Sequence, residues 1–258
     1  MKRTFLYSVV LAILVLAITS LAGCKKENDL VKSQAKKTLE PKEIGYYHNK
    51  YITMLLNSKD YPNENMTFEE CIEYFGSLLI EDGYDSLEVI AAVEDIKDLN
   101  ESGIFGVNFN VLTNQSSFTS ETTMSLINNY LTTQCNASER FCQVILQLMD
   151  YQSFSSDEAL LSYANSQLDE SNWTGQDVTL ATVSKSILNN SYELWKDKFE
   201  DADNNNKAPR PGAFAYIYFN DALGGLLGMP FGIFGSLGMG GLLSWATYME
   251  VIGHPIIK

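Results

Sequence analysis

The side chains able to do chemistry are few in this chain of 258 residues. It holds two histidines, His48 and His254, and four cysteines, Cys24, Cys71, Cys135 and Cys142. No cluster of His or Cys stands at metal-ligand spacing, so neither a zinc site nor a cofactor is expected. His48 falls in a tyrosine-rich stretch and His254 close to the C-terminus, and both are expected to pack or to face solvent rather than to catalyse. Glu69 with Glu73, and Asp95 with Asp98, would share helix faces, the arrangement from which a carboxylate-dependent hydrolase draws its acid and its base. On so acidic a chain such pairs usually serve as solvated charge, and a non-enzymatic protein is expected.

Two further groupings bear on binding and cross-linking. Cys135 and Cys142 would lie at the end of one helix and inside the next, which brings a disulfide between them within reach and leaves Cys71 unpaired. Asp201-Ala-Asp203-Asn-Asn205 resembles the first half of an EF-hand loop, whose oxygens at positions one, three and five suit calcium. Gly212 stands where the bidentate acid belongs, so no metal site is assigned there.

Composition narrows the function classes. Apolar residues make up 45% and charged residues 19%, enough to fill a core and keep it soluble. Against 18 Lys and Arg stand 32 Asp and Glu, a formal net charge of −14. No stretch concentrates basic residues as a nucleic-acid footprint requires, and nucleic acid is not expected as a partner. Residues 25–59 are basic on balance, whereas residues 60–184 carry two basic groups, Lys97 and Arg140, among 21 acidic ones.

The N-terminus reads as an export signal. Lys2 and Arg3 form the positive region, Phe5 to Ile18 the apolar core, and Leu21-Ala22-Gly23 precede Cys24. Leu21-Ala-Gly-Cys24 resembles the lipobox of bacterial lipoproteins. That resemblance implies cleavage after Gly23, diacylglycerol on Cys24 and added palmitate, anchoring the chain to membrane lipid. Lys25 at the second mature position, in place of Asp, favours sorting to the outer membrane. Lys26-Glu27-Asn28-Asp29 is similar to the surface-export tag of Bacteroidota lipoproteins, with Asn28 interrupting the acids.

Beyond the signal peptide (1–23) and a lipidated tether (24–40), the pattern is helical throughout a body spanning 41–200. Ile44, Tyr47, Tyr51, Ile52 and Leu55 make one stripe. Thr67 and Glu70 form a capping box, and Gly83 is placed to stop the helix it starts. Asp85, Ser120, Asn136, Ser155 and Thr174 are expected to open further helices, and residues 101–118 to form a long connection. An all-α, irregular helical bundle follows. Residues 201–212, with Pro209 and Pro211, read as a linker and domain boundary.

The segment 213–258 differs in composition. Ala222 to Met249 is 28 residues without a charged group and holds eight of the chain's 17 glycines. Gly224, Gly228 and Gly232 stand at a spacing of four, and Gly232, Gly235, Gly238 and Gly241 at a spacing of three, the small-residue pattern that lets helix backbones approach closely. Eight glycines cost roughly 7 kcal/mol of helix propensity and Pro230 about 3 more, so packing or lipid must hold this region helical. Pro230 is expected to divide it into an apolar helical hairpin. Its large apolar residues face all sides, which suits either membrane insertion and self-association or burial against the bundle.

The run Leu180-Ala-Thr-Val-Ser-Lys-Ser-Ile-Leu-Asn-Asn-Ser-Tyr-Glu-Leu-Trp195, then Asn220-Asp-Ala222 and the glycine-rich tail, resembles uncharacterised Bacteroidota exported proteins ending in a bacteriocin-like glycine zipper. That resemblance implies membrane association rather than enzymatic activity, with homo-oligomers through the glycines as a further expectation. The sequence therefore points to a lipid-anchored envelope protein acting as an interaction or accessory module. A membrane-perturbing protein is the first alternative and a carboxylate-dependent hydrolase the second.

Overall fold

In the computed structural model of the chain the described residues are 39–57, 67–102, 119–204 and 212–252. The signal peptide, Cys24, most of the tether and His254 lie outside them. All regular structure among the described residues is helical, as the sequence pattern predicts.

Caps account for most of the helix starts. Helix α1 (Ile44–Asn57) is followed by α2 (Phe68–Glu81), which opens on both halves of the expected capping box. Thr67 Oγ1 accepts from the Glu70 amide at 3.2 Å, and Glu70 Oε2 accepts from the Thr67 amide at 2.8 Å. Gly83, at φ 92°, supplies the left-handed turn after α2. Asp85 Oδ1 accepts from the amides of Leu87 and Glu88 at the start of α3 (Ser86–Ser102). Residues 101 and 102 therefore belong to a helix, while 103–118 lie outside the described residues. Ser120 caps α4 (Glu121–Thr133), as expected.

Three starts differ from the sequence reading. Ser138, not Asn136, caps α5 (Glu139–Met149), and Asn136 takes a left-handed φ of 52° in the turn before it. Ser156, not Ser155, caps α6 (Asp157–Gln167). Helix α7 (Gln176–Asn204) begins two residues after Thr174, and at its head Asp177 Oδ1 accepts from the Ser138 amide at 3.0 Å and ties the starts of α5 and α7 together. Helix α7 also runs through Asp201 and Asp203, so these residues sit on a helix and not in a calcium-type loop. Asn205 lies outside the described residues.

Helices α8 (Ala213–Gly228) and α9 (Gly232–Ile252) form the expected hairpin. A short 3-10 turn, Met229–Phe231, contains Pro230, and Gly232 at φ 75° completes the reversal. The hairpin does not stand apart as a domain. It packs with the helices of residues 41–200, and Thr38–Lys258 forms one compact unit. Helix α8 lies on α7 and touches α4, while α9 is covered by α1, α2 and α3. Every residue of α8 except Phe214 is buried, and so is nearly all of Ser236 to Met249.

The surrounding helices turn one apolar face each to this centre. Helix α2 buries Phe68, Ile72, Phe75 and Leu79, and α5 buries Phe141, Ile145 and Leu148. Helix α1 approaches α7 closely because Gly45 carries no side chain, and a Cβ there would overlap the Ser186 carbonyl. The Gly45 amide donates to Ser186 Oγ at 3.0 Å, and Ser186 Oγ donates to the Lys42 carbonyl at 2.7 Å. Asp82, just beyond α2, accepts from Lys50 and from the Tyr51 hydroxyl at 2.6 and 2.8 Å.

Candidate functional site

Between Ala213 and Met249 Asp221 is the only charged side chain, and α8 places it at the centre of the unit, fully buried. Helix α7 supplies Trp195 and Ser191 one turn apart, α1 supplies His48, and α9 supplies Ser244. Trp195 Nε1 donates to Asp221 Oδ2 at 2.7 Å. His48 Nε2 stands 3.9 Å from the same oxygen, and both side chains have no solvent exposure. His48 Nδ1 lies 3.2 Å from Asn49 Oδ1 and 3.4 Å from Ser191 Oγ.

Burial pushes the Asp221 carboxyl up, because an ionised carboxylate loses its hydration there. The His48 ring, the Trp195 indole and the hydroxyls of Ser191 and Ser244 oppose that shift, although no group closes a hydrogen bond to Oδ1. The serine, histidine and aspartate types match those of a nucleophilic triad. Here they face one another inside a packed core, and what they can do in place is hold a proton and anchor a helix.

His48 is packed, in keeping with the sequence reading, and it is the polar partner of the one acid on α8. Nothing in the sequence reading marks Asp221 as a site. The signal for it was a lone carboxylate inside an apolar run, since such a group is expensive to bury unless another chain segment meets it.

The zipper glycines divide by what they touch. A Cβ on Gly224 would stand 2.5 Å from the Met239 carbonyl oxygen, and one on Gly228 or Gly235 would press on the backbone of the opposite arm. These three close the hairpin on itself. Gly238 and Gly241 instead face Ile72 and Phe75 of α2, and Gly225 faces Ile187 of α7. Gly232 meets nothing within 4 Å and serves the turn. The small-residue rows thus make contacts inside one chain.

The other sequence candidates are scattered. Glu73 is exposed and paired with Lys97 at 2.6 Å, and Lys97 also reaches Glu94 at 2.9 Å. These partners hold the Lys97 ammonium above its ordinary range. Glu69 is half-buried, while Asp95 and Asp98 are exposed on α3. Cys135 and Cys142, which the sequence places within reach of a disulfide, are free buried thiols. Cys135 Sγ is directed at the Leu226 carbonyl at 3.5 Å, and Cys142 Sγ lies 3.5 Å from Thr132 Oγ1. Burial pushes the Cys71 and Cys135 thiols up to about 12, far from a reactive thiolate at neutral pH. No three His, Cys, Asp or Glu residues gather as a metal site among the described residues.

No protein-family model, curated protein or solved structure matches this chain.

Proposed function

We propose that the protein is a lipid-anchored component of the bacterial outer membrane, an interaction or accessory module that carries a membrane-associating hairpin sheathed within its own helices. One observation supports this reading above the others. The stretch Ala213–Val251, the two arms with their turn, is 39 residues, holds a window of mean hydropathy 1.6, and is by length and composition alone apolar enough to cross a membrane. The core helix of a soluble protein passes the same test, and 67% of the window is buried. In the closed unit the hairpin is masked, so the acyl chains on Cys24 supply the attachment. Two or more chains bury enough methylenes for stable anchoring. Release of the hairpin would then expose Gly225, Gly238 and Gly241, which face the body helices, for helix contacts in lipid or between copies.

Replacing Cys24 by Ser tests the anchor. Incorporation of labelled palmitate should disappear and the protein should move from the membrane to the soluble fraction. Unchanged labelling or unchanged fractionation would contradict the reading.

A further inference from the structure

We propose that His48 and Asp221 share a single proton and act as a latch that fixes the apolar hairpin to α1 and α7. The inference rests on the proposed function for the purpose of release, while the latch itself is read without lipid. Its first step is the orientation of one amide. Asn49 Nδ2 donates to the Asn190 carbonyl at 2.7 Å, which turns Asn49 Oδ1, an acceptor, toward His48 Nδ1 at 3.2 Å. Two acceptors cannot bond each other, and Asn49 Oδ1 is nearer to Nδ1 than Ser191 Oγ at 3.4 Å, a hydroxyl that can accept as well as donate, so Nδ1 carries a hydrogen and donates it to Asn49. Nε2 is left facing Asp221 Oδ2 at 3.9 Å, within ion-pair distance, and makes no hydrogen bond.

One proton between Nε2 and Oδ2 makes the pair neutral, as imidazolium with carboxylate or as imidazole with carboxylic acid. Without it, an imidazole lone pair would face a bare carboxylate, both side chains being fully buried. The groups facing Asp221 are His48 from α1, Ser191 and Trp195 from α7 and Ser244 from α9, and His48 is the titratable one among them. Gly240 of α9 leaves room for the imidazole, since a Cβ there would stand 3.3 Å from His48 Cδ2. The proton therefore joins the outer helix α1 to the inner arm α8 at the one point where that arm carries charge.

The two partners fail differently when separated. Without the carboxylate, no acid is left uncompensated at the site. Without His48, Asp221 must take up a proton or remain an uncompensated buried charge. Because burial raises its folded-state carboxyl above the unfolded value, its stabilising contribution is present in acid and lost as pH rises through the folded value.

The test uses the full mature chain carrying Cys24→Ser, in lipid-free buffer, with amide exchange in α8 and α9 corrected for intrinsic rates. His48→Leu should lower hairpin protection by about 100-fold at pH 7.5, the loss expected for breaking a buried pair, and protection should return as the pH is lowered. The double variant His48→Leu with Asp221→Asn should be protected across the range. A loss independent of pH, or a double variant no better than the single, would overturn the latch.

The parent chain gives a reading that does not depend on folding of these variants. With His254→Asn, His48 is the sole histidine, and its ring nitrogen-15 spectrum should show Nδ1 protonated at neutral pH. The Nε2 resonance should move when Asp221→Asn is added. An unprotonated Nδ1, or an Nε2 that ignores Asp221, would overturn the proposal. Failure of vesicle binding or of acylation would instead overturn the proposed function and leave the latch standing.

Discussion

Gly228→Ala should destabilise the protein by about 3 kcal/mol, because the new methyl would press on the Gly235 carbonyl and an overpacked backbone contact has no side chain to yield. Helix propensity works in the other direction, with alanine better than glycine by about 1 kcal/mol, so the measured loss is already net of that gain. For a chain of this size the melting temperature should fall by about 6–12 °C. Gly238→Ala is the matched comparison. Its methyl would meet the tip of Ile72 at 2.8 Å, a flexible end that can rotate away, and a change within about 1 kcal/mol is expected. The two glycines belong to adjoining rows in sequence, Gly228 at the spacing of four and Gly238 at the spacing of three. Equal losses at the two positions, followed by thermal denaturation, would show that the hairpin arms do not meet as described.

The second large effect is expected from removing the hairpin. A chain ending at residue 212 keeps α1 to α7 but loses what they pack against. Ile72 and Phe75 of α2, Ile187 and Trp195 of α7 and Tyr130 of α4 would lose apolar or hydrogen-bonded partners together. The Tyr130 hydroxyl donates to the Leu227 carbonyl at 2.8 Å, and the Trp195 indole would lose Asp221. The truncated chain should show no near-ultraviolet circular dichroism from Trp173 and Trp195 and no cooperative melt, while binding dyes that report exposed apolar surface. A cooperative transition with the native aromatic signal would mean that residues 39–204 fold independently and that the hairpin is an appendage.

These expectations separate what the sequence carries from what only the fold decides. Helix positions were legible because caps are local: Thr67, Glu70, Asp85 and Ser120 act within three residues of themselves. The misplaced starts at Asn136, Ser155 and Thr174 are local competitions, in which a neighbouring serine or a distant amide takes the role. Composition misread residues 201–204, where continuation of α7 outweighs a run rich in Asp and Asn. The hairpin itself was legible from Pro230 and the glycine spacing. Which surface it meets was not, since a helix apolar on all sides reads the same in lipid and in a protein interior. The polar centre was the least legible feature. His48 and Asp221 lie on helices at opposite ends of the chain, and nothing in the spacing of either residue announces the other.

The claim that a membrane-associating hairpin is held sheathed can be tested with a reversible staple. A Cβ on Gly225 would meet the Ile187 side chain, so cysteines at these two positions face one another across the α7–α8 contact. The protein would carry Cys24→Ser, Ile187→Cys and Gly225→Cys, and would be mixed with vesicles of phosphatidylethanolamine and phosphatidylglycerol. Flotation would be compared with the disulfide closed and after reduction. The account predicts that reduced protein floats with the vesicles and that the oxidised form stays at the bottom of the gradient. Flotation of neither form, or of both alike, would contradict it and leave the hairpin with a packing role only.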